Sequence, residues 1–331
     1  MMASAERPIP VTILTGFLGS GKTTLLNHIL SAPHGEKIAV IENEFGEVGI
    51  DNELLVAGDE QIVEMNNGCI CCTVRGDLVR ILGELADRRA AGELDFSRVL
   101  IETTGLADPG PVAQTFFLDA SVAEHYVLDG VLVTVDAVHA MRQLDEHAQV
   151  QEQVGFADRL LLTKTDLVDA AQQAALAARL AQINPRAPQR AVLFGDVPLA
   201  EWLDIRGFNL DAVLELAPDF LSGGHRHRHH DKVASFVFRA DRPFDGERLQ
   251  DFLAAVIRIY GPDLLRYKGV LAVEGVPGRV IVQGVHELLG SCSGAPWGAT
   301  ETPHSTFVFI GRDLPREIIE QGLRQSLVPG A

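Results

Sequence analysis

A glycine-rich segment near the N-terminus, Thr15–Thr24, constrains the fold of this chain more than any other feature. It matches the pattern G-x-x-x-x-G-K-[ST] and stands between an apolar, β-type run (Val11–Leu14) and a helical one (Leu25–Leu30). Glycines in such a turn let backbone N–H groups converge on a phosphate, and the N-terminus of the following helix adds partial positive charge. Lys22 would reach the β- and γ-phosphates, and the Thr23 hydroxyl would bind Mg²⁺. The segment therefore predicts a strand–loop–helix unit that binds a nucleoside triphosphate.

The composition of the chain limits what such a protein can do. Its 331 residues exceed the usual size of one domain, so two domains are expected, and 47% hydrophobic residues suffice for packed cores. No apolar run approaches the ~20 residues that span a bilayer, and the N-terminus lacks the apolar segment of a secretory signal. A net charge of −17 argues against nucleic acid, which needs a basic surface. We therefore expect a cytoplasmic protein without a nucleic-acid or membrane partner.

Apolar strand-like runs alternate with helical patterns through the first two-thirds of the chain. The predicted strands are Val11–Thr15, Lys37–Glu42, Gln61–Glu64, Arg98–Glu102, Gly130–Asp136, Arg159–Thr163 and Ala191–Phe194. Helical segments between them include one with an apolar face at Leu78, Ile81, Leu82 and Leu85, and the alanine-rich Ala170–Ala181. This alternation predicts an α/β fold whose mainly parallel sheet is covered on both faces.

A polar segment at residues 222–231 separates this region from a second one. It contains four histidines, His225, His227, His229 and His230, which could bind zinc, nickel or cobalt or simply belong to a linker. We therefore predict one domain over residues 1–221, a linker over 222–231 and a smaller α+β domain over 232–331. The predicted elements of the second domain are the strands Val233–Phe238, Gly269–Val273, Arg279–Val285 and Ser305–Ile310 and the helices Gly246–Ile259 and Pro315–Leu327.

An acidic residue ends the fourth predicted strand, and a glycine follows three residues later. In GTP-binding proteins an acid at such a strand end, here Glu102, reaches Mg²⁺ or its water, and the N–H of a glycine such as Gly105 bonds the γ-phosphate. A buried strand followed by a turn would explain the glycine but not the acid. We therefore predict that Thr23 and Glu102 hold Mg²⁺, while Lys22 neutralises charge as the phosphoryl group leaves.

The sixth predicted strand ends in a segment suited to a guanine base. Asp166 can accept hydrogen bonds from N1–H and the exocyclic amine of guanine, which adenine does not offer, and Lys164 can lie across the base. The usual motif begins with asparagine, whereas this one begins with Thr163. The full set expected to bind the nucleotide is Gly16, Gly19, Ser20, Gly21, Lys22, Thr23, Thr24, Gly105, Thr163, Lys164 and Asp166.

Three of the four cysteines fall within four residues, at Cys69, Cys71 and Cys72. In a cytosolic protein this clustering favours metal or redox chemistry over a disulfide framework. Thiolates at this spacing could bind one ion, and they prefer zinc or Cu(I) to Mg²⁺. The alternatives are a C-x-x-C redox pair and simple core packing, although packing does not require three thiols around one isoleucine.

Acidic residues follow the second predicted strand, at Glu42 and Glu47. Ligands of a parallel sheet gather at the carboxyl ends of its strands, so Glu42, Glu102 and Asp166 should share one edge with the phosphate loop. GTPases place a mobile switch in the loop after this strand. An ion held by the cysteines together with Glu42 or Glu47 would therefore lie close to the triphosphate.

Taken in order, these motifs resemble those of the CobW-type metal-handling GTPases, and the chain is most similar to their YjiA-like subgroup. The matching segments are Thr15–Thr24, Asn43–Glu47, Gly68–Cys72, Glu102–Gly105, Thr163–Asp166, Leu265–Val270 and Pro303–Thr306. The resemblance implies a P-loop NTPase fold with a G domain of the SIMIBI class, the signal-recognition-particle and MinD-like class, followed by a CobW C-terminal domain. It also implies slow GTP hydrolysis and a zinc ion bound near the three cysteines. In the family a glutamate binds the ion together with these thiols; Glu42 corresponds to it, and Glu47 is a second candidate.

The sequence thus predicts a GTPase that binds GTP or GDP with Mg²⁺ and couples its nucleotide state to the binding of Zn²⁺. Co²⁺ or Ni²⁺ are alternatives to Zn²⁺. Such a metallochaperone would deliver its ion to a client metalloprotein. The motifs contain no obvious catalytic glutamine or arginine finger, so hydrolysis should be slow until a partner or a homodimer supplies the missing group. Two other functions stay open: an ATP-dependent P-loop kinase for a small molecule, and a passive metal buffer.

Overall fold

A computed structural model describes residues 8–32, 35–42, 61–64, 74–197, 203, 205, 232–298 and 301–329, with backbone only for 61–64 and 74–75. The described chain forms two compact units. The first contains most of the chain up to residue 205. The second contains the short stretches Val154–Phe156 and Arg179–Arg186 together with the residues from 232 onward.

A parallel sheet forms the centre of the first unit and has seven strands in the described part of the chain. They are β1 (Ile9–Gly16), β2 (Ile38–Glu42), β3 (Gln61–Glu64), β4 (Arg98–Glu102), β5 (Tyr126–Asp136), β6 (Arg159–Thr163) and β7 (Gln189–Val192). Their order is β3-β2-β4-β1-β5-β6-β7, and every neighbouring pair is parallel. The predicted parallel sheet is confirmed, and β1 lies at its centre, between β4 and β5.

Helices connect these strands and bury their apolar sides. They are α1 (Lys22–Ser31), α2 (Val74–Ala90), α3 (Gly110–Leu118), α4 (Ala120–His125), α5 (Ala140–Glu146), α6 (Ala148–Phe156) and α7 (Ala170–Ile183). Leu25, Leu26 and Ile29 recur at helical spacing along α1 and form a buried cluster with Leu14 of β1 and Leu161 of β6. This packing fixes the start of α1 at the carboxyl end of the central strand.

In its described residues from 232 onward, the second unit contains a separate antiparallel sheet with two α-helices. Its elements are β8 (Val233–Ala240), α8 (Gly246–Tyr260), β9 (Leu264–Leu271), β10 (Gly278–Val285), β11 (Leu288–Pro296), β12 (Ser305–Arg312) and α9 (Arg316–Gln325). The strand order is β11-β10-β9-β12-β8. Leu253 of α8 and Ile319 and Leu323 of α9 pack with Phe307 and Phe309 of β12. The predicted α+β class of this region is confirmed.

Several element bounds differ from the prediction for physical reasons. The strand predicted over Ala191–Phe194 ends at Val192, because Phe194 turns the backbone into positive φ. The strand predicted over Gly269–Val273 begins at Leu264, five residues earlier. The strand β11 was not predicted, since its exposed Gly290–Gly294 run of small residues lacks the β-branched side chains that indicate a strand. In the described ranges, no helix is both long enough and apolar enough to cross a membrane.

Candidate nucleotide and metal site

The predicted phosphate loop lies between β1 and α1. Gly16 has a φ of 145°, and Gly19 and Gly21 have φ values of 72° and 94°, which glycine adopts without steric cost. The helix α1 begins at Lys22 and carries no acidic residue in its first turn. Its N-terminal N–H groups and dipole therefore face the loop without a competing carboxylate from that turn, as an anion site requires.

The phosphate loop rests directly on β5. A Cβ at Gly16 would lie 2.3 Å from Thr134 Oγ1 and 2.5 Å from the Thr134 carbonyl oxygen, so no larger residue fits there. Ser20 shares a 2.7 Å hydrogen bond with the same hydroxyl. The Lys22 side chain folds back over the loop, where its Nζ donates to the carbonyl oxygens of Gly16 at 2.8 Å and Phe17 at 3.4 Å. The loop and its lysine are thus held in place by hydrogen bonds within the protein.

The segment after β4 is tied to β1 and to the phosphate loop. Thr103 donates its backbone N–H to the Leu14 carbonyl oxygen at 2.9 Å and its hydroxyl to Thr15 Oγ1 at 2.7 Å. A Cβ at Gly105 would lie 2.7 Å from the backbone nitrogen of Leu18. The structure therefore brings Gly105 beside the phosphate loop, and its role toward the γ-phosphate stays a prediction.

Gln153, which belongs to none of the predicted motifs, also holds this segment. Gln153 is buried in α6, and its Nε2 donates to the carbonyl oxygens of Gly105 at 3.2 Å and Ala107 at 3.1 Å. These partners are more than forty residues away in the chain. Because no local pattern marks such a long-range contact, the sequence gives no signal for this residue.

Two of the predicted metal-binding acids are neighbours at the carboxyl edge of the sheet. Glu42 and Glu102 end β2 and β4 and are register partners, and Glu102 is also the partner of Leu14 in β1. Glu42 is buried, whereas Glu102 and Thr23 are partly exposed. The Thr23 hydroxyl and the Glu102 carboxylate are the hard oxygen donors that Mg²⁺ prefers, so these residues fit that ion.

The other predicted metal ligands, Cys69, Cys71, Cys72 and Glu47, lie outside the described residues. The histidines at 225, 227, 229 and 230 lie outside them as well. Within the ranges that the structure describes, no group of three or more His, Cys, Asp or Glu side chains could hold a metal ion. The transition-metal site therefore stays a prediction, for which the structure fixes the position of Glu42.

The predicted base-binding segment is tied to the phosphate loop through two adjacent carbonyl groups. The Thr163 hydroxyl donates to the Ser20 carbonyl oxygen at 2.8 Å, and Lys164 Nζ donates to the Gly19 carbonyl oxygen at 2.9 Å. Lys164 has left-handed backbone angles, φ 55° and ψ 31°, which are uncommon outside glycine. Threonine in place of the usual asparagine thus retains a donor that holds the two segments together.

Asp136 is a second site residue that belongs to none of the predicted motifs. It is buried at the end of β5, beside Thr163, and its Oδ2 accepts from Lys164 Nζ at 2.6 Å and lies 3.0 Å from His139 Nδ1. Burial raises the pKa of Asp136, but hydrogen bonds from Lys164, His139 and the Val138 N–H outweigh it and hold the pKa below its ordinary value. An ionised Asp136 therefore fixes Lys164. An acid at the end of an apolar strand was the signal that could have revealed it.

A pocket of about 320 Å³ opens beside these residues, a size typical of small-molecule sites. Gly21 and Thr24 line it from the phosphate loop and α1, and Lys164 and Asp166 line it from the base-binding segment. Phe194, which the sequence analysis placed in a strand, lines it as well. The pocket thus joins the predicted base-recognition residues to the predicted phosphate-binding residues.

A parallel sheet with β1 at its centre, a phosphate loop leading into α1 and an adjoining base-sized pocket define a P-loop nucleotide-binding protein. The chain matches the family described as CobW/HypB/UreG, nucleotide-binding domain, over residues 10–190, and the cobalamin synthesis protein cobW C-terminal domain over residues 233–327. It therefore belongs to the CobW/HypB/UreG family. The predicted domain boundaries at residues 221 and 232 stay predictions.

Individual relatives agree with this membership. The chain is 46% identical to the zinc chaperone YjiA of Escherichia coli K12 over 325 residues, which cover 96% of this chain and 99% of that protein. It is 34% identical to the zinc chaperone CobW of Pseudomonas aeruginosa, covering 96% and 92%. Among solved structures, Zn(II)-bound YjiA GTPase from E. coli is similar with a TM-score of 0.77, 39% identity and coverage of 97% and 100%. A Zn(II)-bound triple mutant of YjiA GTPase gives a TM-score of 0.79 at the same identity and coverage.

Proposed function

We propose that this protein is a GTPase that binds Zn²⁺ and passes it to a client metalloprotein under the control of its bound nucleotide. The observation that carries the proposal is the shared carboxyl edge of the sheet. Glu42 is the register partner of Glu102, and β4 adjoins β1, which leads into the phosphate loop. A shift at Glu102 or Gly105 on loss of the γ-phosphate would therefore be felt by the neighbouring Glu42.

The relatives support this function. Two of them bear the name zinc chaperone, and a solved relative is a GTPase with Zn(II) bound. In the triple mutant, one glutamate and two cysteines are replaced by alanine. Glu42, Cys71 and Cys72 are residues of the same kinds, and we assign them, with Cys69 and the secondary candidate Glu47, to the zinc site.

The geometry around the phosphate loop supports the proposed nucleotide roles. Backbone N–H groups of residues 19–24 and the Lys22 ammonium would hold the phosphates, and Thr23 and Glu102 would bind Mg²⁺. Asp166 would accept two hydrogen bonds from guanine in the adjoining pocket. Thiolate ligands need a reducing compartment, which supports a cytoplasmic location.

A zinc titration tests the proposal. Wild-type protein, Cys71→Ala/Cys72→Ala and the control Cys292→Ala are each titrated with Zn²⁺ in the presence of GDP and of a non-hydrolysable GTP analogue. Cys292 is an exposed free cysteine of β11. Its substitution removes one thiol that is not among the proposed zinc ligands. We expect wild-type zinc affinity to differ by at least about five-fold between the two nucleotides, the lower end of typical coupling. The double variant should lose the tight site, and Cys292→Ala should match wild type.

The same experiments separate the other two functions. A P-loop kinase should prefer ATP, so calorimetry that shows tighter binding of ATP than of GTP would refute the GTPase. A passive metal buffer should bind zinc equally well with GDP and with the GTP analogue. Equal zinc affinity in wild type and the double cysteine variant would refute the assignment of the metal site.

A further inference from the structure

The turn after β7 has a backbone that its sequence does not favour. The Asp196 N–H donates to the Leu193 carbonyl oxygen at 2.8 Å, and the two residues form an isolated antiparallel bridge. Between them, Phe194 and Gly195 both have positive φ, 52° and 82°. Such a turn is typical of Asn-Gly or Gly-Gly, and a bulky aromatic residue in its first central position is strained. Residues held in such conformations cluster at ligand sites.

The packing of Gly195 fixes where this turn lies. A Cβ at Gly195 would be 2.6 Å from the Cβ of His28 and 3.2 Å from the Thr24 carbonyl oxygen. Both contacts are with α1, the helix that starts at the phosphate loop. The turn is therefore held against the first turns of α1, and the position of Phe194 follows from this contact.

Burial in the core does not explain why a phenylalanine stands at position 194, because 83% of Phe194 is exposed. The side chain instead lines the pocket that contains Lys164 and Asp166. Leu167, 67% exposed, is a second large apolar residue of the same lining. A purine base has apolar faces and polar edges. Exposed apolar side chains around an acidic group therefore match a flat heterocycle whose edge meets Asp166.

We propose that Phe194 is a base-binding residue that stacks on the face of the guanine base when GTP or GDP binds. The inference rests on the proposed function, since it assumes a guanine nucleotide in this pocket. Stacking acts on the ring face and is tolerant of base identity, whereas Asp166 acts on the edge. Phe194 would therefore set the affinity for the base, and Asp166 would set the choice of base.

Calorimetric titrations of Phe194→Ala with GDP, inosine diphosphate and inorganic tripolyphosphate test this role. Stacking predicts a loss of affinity on the order of 10-fold for both nucleoside diphosphates. Tripolyphosphate, which has no base, should bind as tightly as to wild type. Phe194→Trp should restore GDP affinity and show fluorescence quenching by GDP that wild type lacks. Ile318→Ala, which truncates a 58% exposed apolar residue of α9, is the matched control and should bind all three ligands normally.

A second variant separates function from folding. Asparagine tolerates left-handed angles, so Phe194→Asn should melt no lower than wild type without nucleotide while it loses GDP affinity as Phe194→Ala does. GDP binding by Phe194→Ala at wild-type affinity would overturn the inference, as would an equal loss of tripolyphosphate binding. Wild-type protein that prefers ATP to GTP would instead refute the proposed function. In that case the stacking role would be judged from ATP binding by the same variants.

Discussion

A single methyl group at Gly105 should disturb the contact between the loop after β4 and the phosphate loop. A Cβ at this position would lie 2.7 Å from the backbone nitrogen and Cδ2 of Leu18 and 2.9 Å from its Cα. The exposed Leu18 side chain can rotate away, but its backbone cannot. Gly105→Ala therefore requires the two loops to separate by more than half an ångström, since ordinary contact begins at 3.4 Å.

The cost of this separation can be estimated from its parts. Forcing a methyl group into a packed contact destabilises a protein by about 1–3 kcal/mol. The displacement also lengthens the hydrogen bond from Gln153 to the Gly105 carbonyl oxygen, which contributes about 1 kcal/mol. For a unit of this size, each 1 kcal/mol lowers the melting temperature by roughly 2–4 °C. We expect Gly105→Ala to melt several degrees below wild type.

Thermal denaturation and calorimetry measure both consequences. If the Gly105 N–H bonds the γ-phosphate, wild type should bind a GTP analogue more tightly than GDP. The variant should keep most of its affinity for GDP but lose this difference, because the γ-phosphate contact is displaced. The matched control is Gly83→Ala in α2, where an added Cβ meets nothing within 4 Å. Alanine in a helix interior is favoured over glycine by about 0.5–1 kcal/mol, so this control should melt slightly higher. The reasoning is refuted if Gly105→Ala melts like wild type and keeps its preference for the GTP analogue.

Three further predictions concern the base-binding segment and Asp136, which holds its Lys164. Asp166→Asn should weaken GDP on the order of 100-fold and make xanthosine diphosphate the better ligand by calorimetry, because an amide N–H faces the C2 carbonyl of xanthine. Thr163→Val should lower the free energy of unfolding in denaturant by about 1 kcal/mol through loss of the bond to Ser20, and Thr163→Asn should retain it. The pKa of Asp136 is lower in the folded protein than in the unfolded chain, where it is near 3.8. The ionised carboxylate therefore stabilises the fold at pH values above 3.8, and this stabilisation is lost as the pH falls through the folded pKa. The difference in melting temperature between wild type and Asp136→Asn should therefore shrink as the pH falls below about 4, and a difference that stays constant would contradict this origin.

The elements that the sequence predicted well are those whose signal is local. Arg98–Glu102 and Arg159–Thr163 are continuous apolar runs that end in polar residues, and the structure has strands with these bounds. The carboxyl ends of parallel strands share one edge of the sheet, which is why Glu102 and Asp166 could be expected beside the phosphate loop. Local composition and one topological rule were sufficient for this part.

The contacts that the sequence could not predict join residues far apart in the chain. Ser20 and Thr163 are 143 positions apart, and the hydrogen bond between them depends on the sheet register. Gln153 stands in a helix whose pattern gives no reason to expect a contact with Gly105. The positive φ of Phe194 opposes its intrinsic preference, so a β-type residue lies in a turn. In each case tertiary packing, which no single segment records, decides the outcome.

The double tie from Thr163 and Lys164 to the Ser20 and Gly19 carbonyl groups has a kinetic consequence. It joins the part of the site that would bind the base to the part that would bind the phosphates. Because hydrogen bonds within the protein order both segments, nucleotide binding should cost little additional conformational entropy. Binding should therefore be fast, and differences in affinity should lie chiefly in the dissociation rate. The rate of exchange of GDP for GTP would then be limited by nucleotide dissociation. A partner could accelerate that step by breaking these two hydrogen bonds.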